Sequence, residues 1–525
     1  MTTDSLDSAG AMPHWSDPDP VRGAVLRDLL TGAGGDVLIV GPHDPALIDA
    51  VAGREVTVLV RGAPDARALA DRYADRPGVR IRCGSLDAVA TGAAYDTVVA
   101  LDGVDRTGST ESADLSWSAA VARLLAVLRP GGRLLLTVRN PLGVDRLHTA
   151  ATPDDADWAA PDDPTRPAGP EPLRAHLRDA GLTVARDYAA YPGPREPTAL
   201  LSETALTDPD LHGVLTAVLR RTGPPPGPLL ADPRPLAADL LRHRLATALA
   251  PAWIVVATRP TALPPAEALP ETPPEALPDT PAEALPDTPA EALPAAPAGT
   301  LSTALPDTLP EALFAGGRLR RTAHGWSWDP SGAPVAAGRC LHDALLAAAR
   351  NADQPELRRL LTAWQAGPCA TIGADEIVLS ADGGLHPLPA PTRRPGGRTE
   401  VLQRLAAALH QEGVAHLWPF EGTTELLAAL SGIDLAPFPE PPAVPETLRE
   451  LRDAHDRLAQ RLSEARAQLA WYEQRTATLH RDLARAHRII AVLKGTTPGR
   501  AAKAVLDGAR SGKRLARAAI RRLRP

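Results

Sequence analysis

Lysine is almost missing from this chain of 525 residues: it occurs only at Lys494, Lys503 and Lys513. Aromatics are scarce as well, while Ala, Arg and Pro abound. That bias is the mark of high-GC coding, so arginine richness by itself says little about phosphate binding. The net charge of -7 gives no global case for nucleic acid, which is not expected as a partner. Cysteine is nearly absent too. Cys83, Cys340 and Cys369 are odd in number and far apart, which argues against a disulfide framework and suits no zinc spacing. No apolar run approaches the length of a bilayer span, and the polar, acidic first 20 residues hold no apolar core of a signal peptide. A cytoplasmic protein with a disordered N-terminus over 1–20 is the expectation.

What is present divides into blocks, as a chain too long for one core should. From Val21 to Thr258, apolar β-branched runs alternate with helical patterns. Strands are predicted at Val37–Val40, Glu55–Val60, Val79–Cys83, Tyr95–Leu101 and Arg133–Val138, with helices between them. The fold class this implies is α/β, a Rossmann-like doubly wound parallel sheet covered on both faces. Ligands of such sheets bind outside the carboxyl ends of the strands. The candidate site is therefore built from Gly41 to Asp44, Arg61-Gly62, Gly84 to Asp87 and Leu101 to Asp105.

These residues resemble class I S-adenosylmethionine-dependent methyltransferases. The resemblance rests on Val37-Leu-Ile-Val-Gly41, Gly84-Ser-Leu-Asp87, Tyr95-Asp-Thr-Val-Val-Ala-Leu101 and, most specifically, Leu128-Arg-Pro-Gly-Gly-Arg-Leu-Leu-Leu136. Glu171 to Val184 looks like the family's last helix and following strand, and Ala252 to Ala257 like its closing strand. Asn140-Pro-Leu-Gly143 and Tyr191-Pro-Gly-Pro-Arg-Glu-Pro-Thr198 look like a subgroup met with surface-polysaccharide assembly, so glycan-assembly enzymes are implied partners. The resemblance implies S-adenosylmethionine as cofactor, held by Gly41, His43, Asp44, Arg61, Ser85, Leu86 and Asp87. For a hydroxyl acceptor it implies a base within hydrogen-bond reach, for which Asp102, Asp105 and His148 stand near the strand ends. A bland role competes for each: Asp102 and Asp105 as turn or helix caps, His148 as a solvated side chain.

The departures define a rival. Family members hold the methionine part with a small-residue loop, but Pro42, His43, Asp44 and Pro45 stand here, and the two prolines remove two N–H donors. The second strand usually ends in an acid for the ribose hydroxyls; Val60 and Arg61 stand here. The acid that pairs with adenine is replaced by Ser85, with Asp87 two places on. The rival reading is a non-catalytic oligomeric scaffold that keeps the fold for its shape.

Beyond residue 258 the composition changes three times. Residues 259–312 form a Pro-rich repeat linker, an octad close to Leu-Pro-Asp-Thr-Pro-Ala-Glu-Ala with no basic residue between Arg259 and Arg318. Such proline density favours extended backbone over helix or ladder. Residues 313–438 read as a small α+β domain of unstated role, with a strand pair over Gly317–Trp328 and a hairpin on Asp382-Gly383. It resembles a decayed kinase only in outline. It has no glycine-rich phosphate loop, no lysine and no Asp/Asn pair for magnesium, which argues against phosphotransfer. Trp326 and Trp328 are either a sugar platform or half-buried strand residues.

From 446 to 494 the chain keeps strict heptads. Leu448, His455, Leu462, Leu469, Thr476, Leu483 and Ile490 fall at a; Leu451, Leu458, Ala465, Tyr472, Leu479, Ala486 and Leu493 fall at d. That length argues for a coiled coil and a homo-oligomer. After a break at Gly495–Gly499, the tail (495–525) is a basic amphipathic segment in which only Asp507 opposes nine arginines and lysines. It suits an anionic membrane surface at the inner face of the cell membrane, with RNA binding or a solvated tail as alternatives.

Overall fold

The computed structural model describes residues 10–109, 112, 115–149, 163–222, 230, 232–261, 309–389, 396–414, 423–433, 448–495 and 497–522. The chain divides into two compact units, Met1–Thr447 and Leu448–Pro525. Most of the octad linker lies outside the described residues.

The first unit opens with α1 (Ala24–Leu30), β1 (Asp36–Val40), α2 (Pro45–Ala50), β2 (Glu55–Val60), α3 (Ala63–Arg72), β3 (Val79–Cys83), β4 (Tyr95–Ala100), α4 (Trp117–Val127) and β5 (Leu128–Arg139). Strands β1 to β5 are mutually parallel in the order β3-β2-β1-β4-β5. The order reverses direction between β2 and β4, around β1, which places the crevice of a doubly wound sheet there. Alternate residues feed opposite faces: Leu38, Val98 and Leu134 enter one core, Ile39, Val58 and Leu135 the other. The Leu-Arg-Pro-Gly-Gly element is not the expected helix end and turn. It already belongs to β5, where a register irregularity against Tyr95 and Thr97 absorbs Pro130 and the glycines.

Next come α5 (Val144–His148), α6 (Pro170–Asp179), β6 (Thr183–Tyr191), β7 (Ala199–Leu201), α7 (Glu203–Thr207), α8 (His212–Arg221), α9 (Pro233–Arg242) and β8 (Ala252–Thr258). The closing strand β8 inserts between β5 and β6, antiparallel to both. The helix and strand expected around Glu171–Val184 are α6 and β6.

The chain then returns as β9 (Ala312–Phe314), β10 (Gly317–Thr322) and β11 (Gly325–Asp329). These extend the same sheet: β9 pairs with β7, giving 11 strands in the order β11-β10-β9-β7-β6-β8-β5-β4-β1-β2-β3. The strand pair expected at the start of a separate domain thus belongs to the central sheet. A single sequence shows that a strand exists but not which edge it completes. Only from β12 (Arg339–Cys340) onward does a second sheet and core appear, with α10 (Leu341–Arg350), α11 (Gln354–Ala366), β13 (Ile377–Leu379), β14 (Leu385–Pro387), α12 (Arg398–Gln411) and α13 (Thr423–Ser431). The hairpin β13–β14 turns at Asp382-Gly383, where Gly383 takes a φ of +85°. This part packs directly on α8, so closely that a Cβ on Gly213 would come within 2.6 Å of the Gly338 carbonyl. Trp326 is buried in the core of the central sheet and Trp328 stacks edge-on against Phe314 at 5.8 Å, so both serve the core.

The second unit is α14 (Leu448–Gly495) and α15 (Thr497–Arg522). The first carries 48 residues, about 70 Å of helix. Of the break expected over Gly495–Gly499, residue 496 lies outside the described residues and the rest is helical; Pro498 sits in the first turn of α15, where its missing N–H is harmless. No helix among the described residues is long and apolar enough to cross a membrane.

Candidate functional site: the closed crevice above the parallel strands

Strands β1, β2, β3 and β4 end at Val40, Val60, Cys83 and Ala100, and the loops beyond them converge as the sequence suggests. They do not meet over open space. Residues 10–21 cross above all four, although disorder is the sequence expectation for 1–20. Met12 pairs in parallel with Gly62 and Val21 with His43. The Met12 amide donates to the Arg61 carbonyl at 2.8 Å and the Val21 amide to Pro42 at 3.0 Å. A Cβ on Gly62 would run into the Trp15 carbonyl. Glycine at 62 is therefore what lets this segment lie flat on the strand ends. Proline and acid in Asp17-Pro-Asp-Pro20 suggested disorder; tertiary hydrogen bonds override that composition.

Two buried ion pairs fasten the cover. The Arg61 guanidinium donates through Nε and Nη2 to the Asp17 carboxylate, with both side chains within 1% of full burial. Its Nη1 reaches the Gly108 carbonyl at 3.1 Å, and the Trp15 ring lies 5.8 Å from its centre. Arg106 forks onto Asp102 at 2.6 and 2.7 Å and also donates to the carbonyls of Pro18 and Asp19. Arg139 approaches Asp102 at 3.8 Å from the far side. Each charge is paired bidentately, the arrangement that makes burial of ions tolerable.

The remaining candidates are equally engaged. Gly41 takes a φ of +90° and its carbonyl accepts from His43 Nδ1 at 3.0 Å. Burial holds the His43 imidazole below its usual pKa, which leaves it neutral with Nε2 buried and lacking a hydrogen-bond partner among the described residues. Asp44 caps α2 by accepting from the Ala46 amide at 2.8 Å. Ser85 donates to Asp87, and Leu86 is a core residue whose amide donates to the Thr107 carbonyl at 2.9 Å. Asp105 pairs with Arg166. In this conformation the ribose position at the end of β2 is taken by the Arg61–Asp17 pair. The loop after β1 lies beneath Val21. S-adenosylmethionine does not fit among these residues as they stand.

His148 lies apart from this ring, on α5. It is buried rather than solvated, and burial lowers its pKa. Beside it, three residues earlier, stands a group that the sequence reading missed. Burial pushes the Asp145 carboxyl up to about 6, and its Oδ1 has no hydrogen-bond partner among the described residues. Nothing in the sequence marks Asp145, since Val144–His148 carries no motif. Because the folded pKa exceeds the unfolded one, folding favours the protonated acid. Stability is fullest below pH 4 and is lost as pH rises toward 6. Asp145→Asn should therefore stabilise the protein by about 1–3 kcal/mol at pH 7.5. Denaturation at pH 4 should show little of that gain.

Among the described residues no His, Cys, Asp or Glu cluster could hold a metal ion. A separate solvent-open cavity of about 560 Å³ is lined by Arg174, Asp187, Glu203 and Arg321. Arg174 already holds Asp187 and Glu203 at 2.7 and 2.6 Å.

No protein-family model and no curated protein matches the chain. Solved structures do. The [4+2]-cyclase SpnF is 20% identical over 45% of this chain and 80% of its own, with a TM-score of 0.24. The 1,6-didemethyltoxoflavin-N1-methyltransferase of Burkholderia thailandensis, solved with S-adenosylhomocysteine, is 17% identical over 45% and 79%, TM-score 0.24. The N-methyltransferase NodS of Bradyrhizobium japonicum WM9 is 12% identical over 45% and 92%, TM-score 0.25. At such overlaps these neighbours carry no argument about activity. The parallel order β3-β2-β1-β4-β5, closed by the reversed strand β8 before β6, gives this chain a Rossmann-like, methyltransferase-like fold.

Proposed function

We propose that this chain is a methyltransferase-fold platform, non-catalytic in the form described, whose cofactor crevice is filled by its own residues 10–21. The observation that carries this reading is the Arg61–Asp17 ion pair at the end of β2. An acid there would take the ribose hydroxyls; a buried arginine that demands its own acid closes the position instead. Opening the crevice would take Asp17 from Arg61 and the Pro18 and Asp19 carbonyls from Arg106, a loss of several kcal/mol that ligand binding would have to offset. The partners we assign are surface-glycan assembly enzymes, on the resemblance of Asn140–Gly143 and Tyr191–Thr198. In the structure those residues serve as braces, Asn140 donating to the carbonyls of Ala248 and Ala250 at 2.9 and 2.8 Å. The helix α15, with Arg510, Lys513, Arg514 and Arg517 exposed, suits attachment to an anionic membrane surface.

One observation favours a second reading, methyl transfer from S-adenosylmethionine. Asp145, on α5 beyond the end of β5, has its carboxyl pushed up to about 6 by burial, in the range that suits a general base. S-adenosylmethionine is the ligand to test. Calorimetric titration of the full chain should give no saturable heat up to about 1 mM cofactor. A dissociation constant below about 100 µM would overturn the platform and restore the enzyme.

A further inference from the structure

The helix α14 leaves an apolar stripe uncovered. Leu451, Leu469, Tyr472, Leu479 and Leu483 are all more than half exposed, and all lie on the a/d seam of the heptads. A seam of this length on a helix of 48 residues needs a helical partner of the same length. We propose that the partner is a second copy of the same helix, running antiparallel and centred between Ala470 and Trp471.

Charge beside the seam decides the direction. In a parallel pair each g residue faces the e residue of the next heptad in the partner. Arg461 would then face Arg466, and Arg475 would face His480, each twice. No g–e contact would pair a full positive with a full negative charge. In the antiparallel pair e faces e and g faces g. Centred between Ala470 and Trp471, that register sets Arg466 against Glu473 of the second copy, and Arg461 against Asp482 of the second copy. By two-fold symmetry each contact occurs twice, so two repulsive arginine pairs become four attractive pairs.

The seam agrees with the same centre. Large residues meet large ones, Leu458 with Leu483 and Leu462 with Leu479 of the second copy. Small or polar ones meet each other, Ala465 with Thr476 and His455 with Ala486. A parallel pair would instead stack His455 on itself inside the seam. Both Arg466 and Glu473 are exposed on α14 and free to make the contact. This inference is independent of whether the crevice binds cofactor.

Sedimentation equilibrium on the full chain tests it with a result that has opposite signs for the two directions. Arg466→Glu places like charges against Glu473 in the antiparallel pair and should weaken dimerisation about tenfold. Adding Glu473→Arg should restore it. In a parallel pair Arg466→Glu would relieve the contact with Arg461 and tighten the dimer. Tightening, an unchanged constant, or a wild-type monomer at micromolar concentration would each overturn the proposal. A covalent check uses Leu451→Cys and Ile490→Cys, which face each other only in the antiparallel register. A mixture of the two single variants should crosslink into a heterodimer, whereas crosslinking of Leu451→Cys with itself would overturn the assignment.

Discussion

Replacing Asp17 by alanine should lower the unfolding free energy by about 3–5 kcal/mol, although residue 17 lies in a stretch with the composition of a disordered tail. The reason is the partner. Arg61 is fully buried and receives both carboxylate oxygens of Asp17; without them a guanidinium stays in a site that water does not reach. The exposed His14, three residues away, gives the control: His14→Ala should change stability by less than about 0.5 kcal/mol. A second control separates the orphaned charge from lost packing. The double variant Asp17→Leu with Arg61→Met should recover most of the loss, since a buried pair exchanged for apolar residues is often neutral. Urea denaturation of the four proteins checks all of this. An Asp17→Ala loss under about 1 kcal/mol would mean that the segment does not seal the crevice.

Arg106→Ala should act as strongly, by about 3–5 kcal/mol, and it reports on the cover more directly. Arg106 joins the strand-end acid Asp102 to the carbonyls of Pro18 and Asp19. Its loss leaves Asp102 buried with Arg139 at 3.8 Å as a distant counter-charge. Hydrogen exchange should then accelerate at the amides of Val21 and Asp44, which bond across the cover at 3.0 and 2.9 Å. Amides within β4 and β5 should accelerate only as far as the loss of global stability dictates. Arg106→Lys should rescue little, because an ammonium cannot fork onto the carboxylate and reach both carbonyls.

How much of this was legible beforehand depends on whether the signal was local. The strands β1, β2, β4, β5 and β8 carry runs of buried Val, Ile and Leu, and the edge strand β3 alternates apolar with arginine; both patterns are visible in a single sequence. The hairpin at Asp382-Gly383 was equally plain, because a two-residue turn states its own geometry. The Pro42, Arg61 and Ser85 departures were readable at the strand ends. What they could not show was the compensation. Asp17 is 44 residues from Arg61, and nothing local in Asp17-Pro-Asp-Pro20 says that its acid is needed elsewhere. Arg106 had a weak signal, since it stands four residues after Asp102, but i,i+4 charges are common on any surface. The pairing of β9 with β7 was hidden for the same reason: edge choice is a property of the assembled sheet.

That pairing changes what the octads are. Strand β8 ends at Thr258 and β9 begins at Ala312, and both belong to one sheet with β6 and β7 between them. The repeats therefore do not separate two bodies; they close a loop whose two ends are held at fixed positions. The entropy of closing such a loop grows only with the logarithm of its length, so gaining or losing one octad alters stability by about 0.1–0.2 kcal/mol. Copy number is thermodynamically almost silent here. Replication slippage in so repetitive a coding stretch can lengthen or shorten it, and the sheet on either side will not register the change.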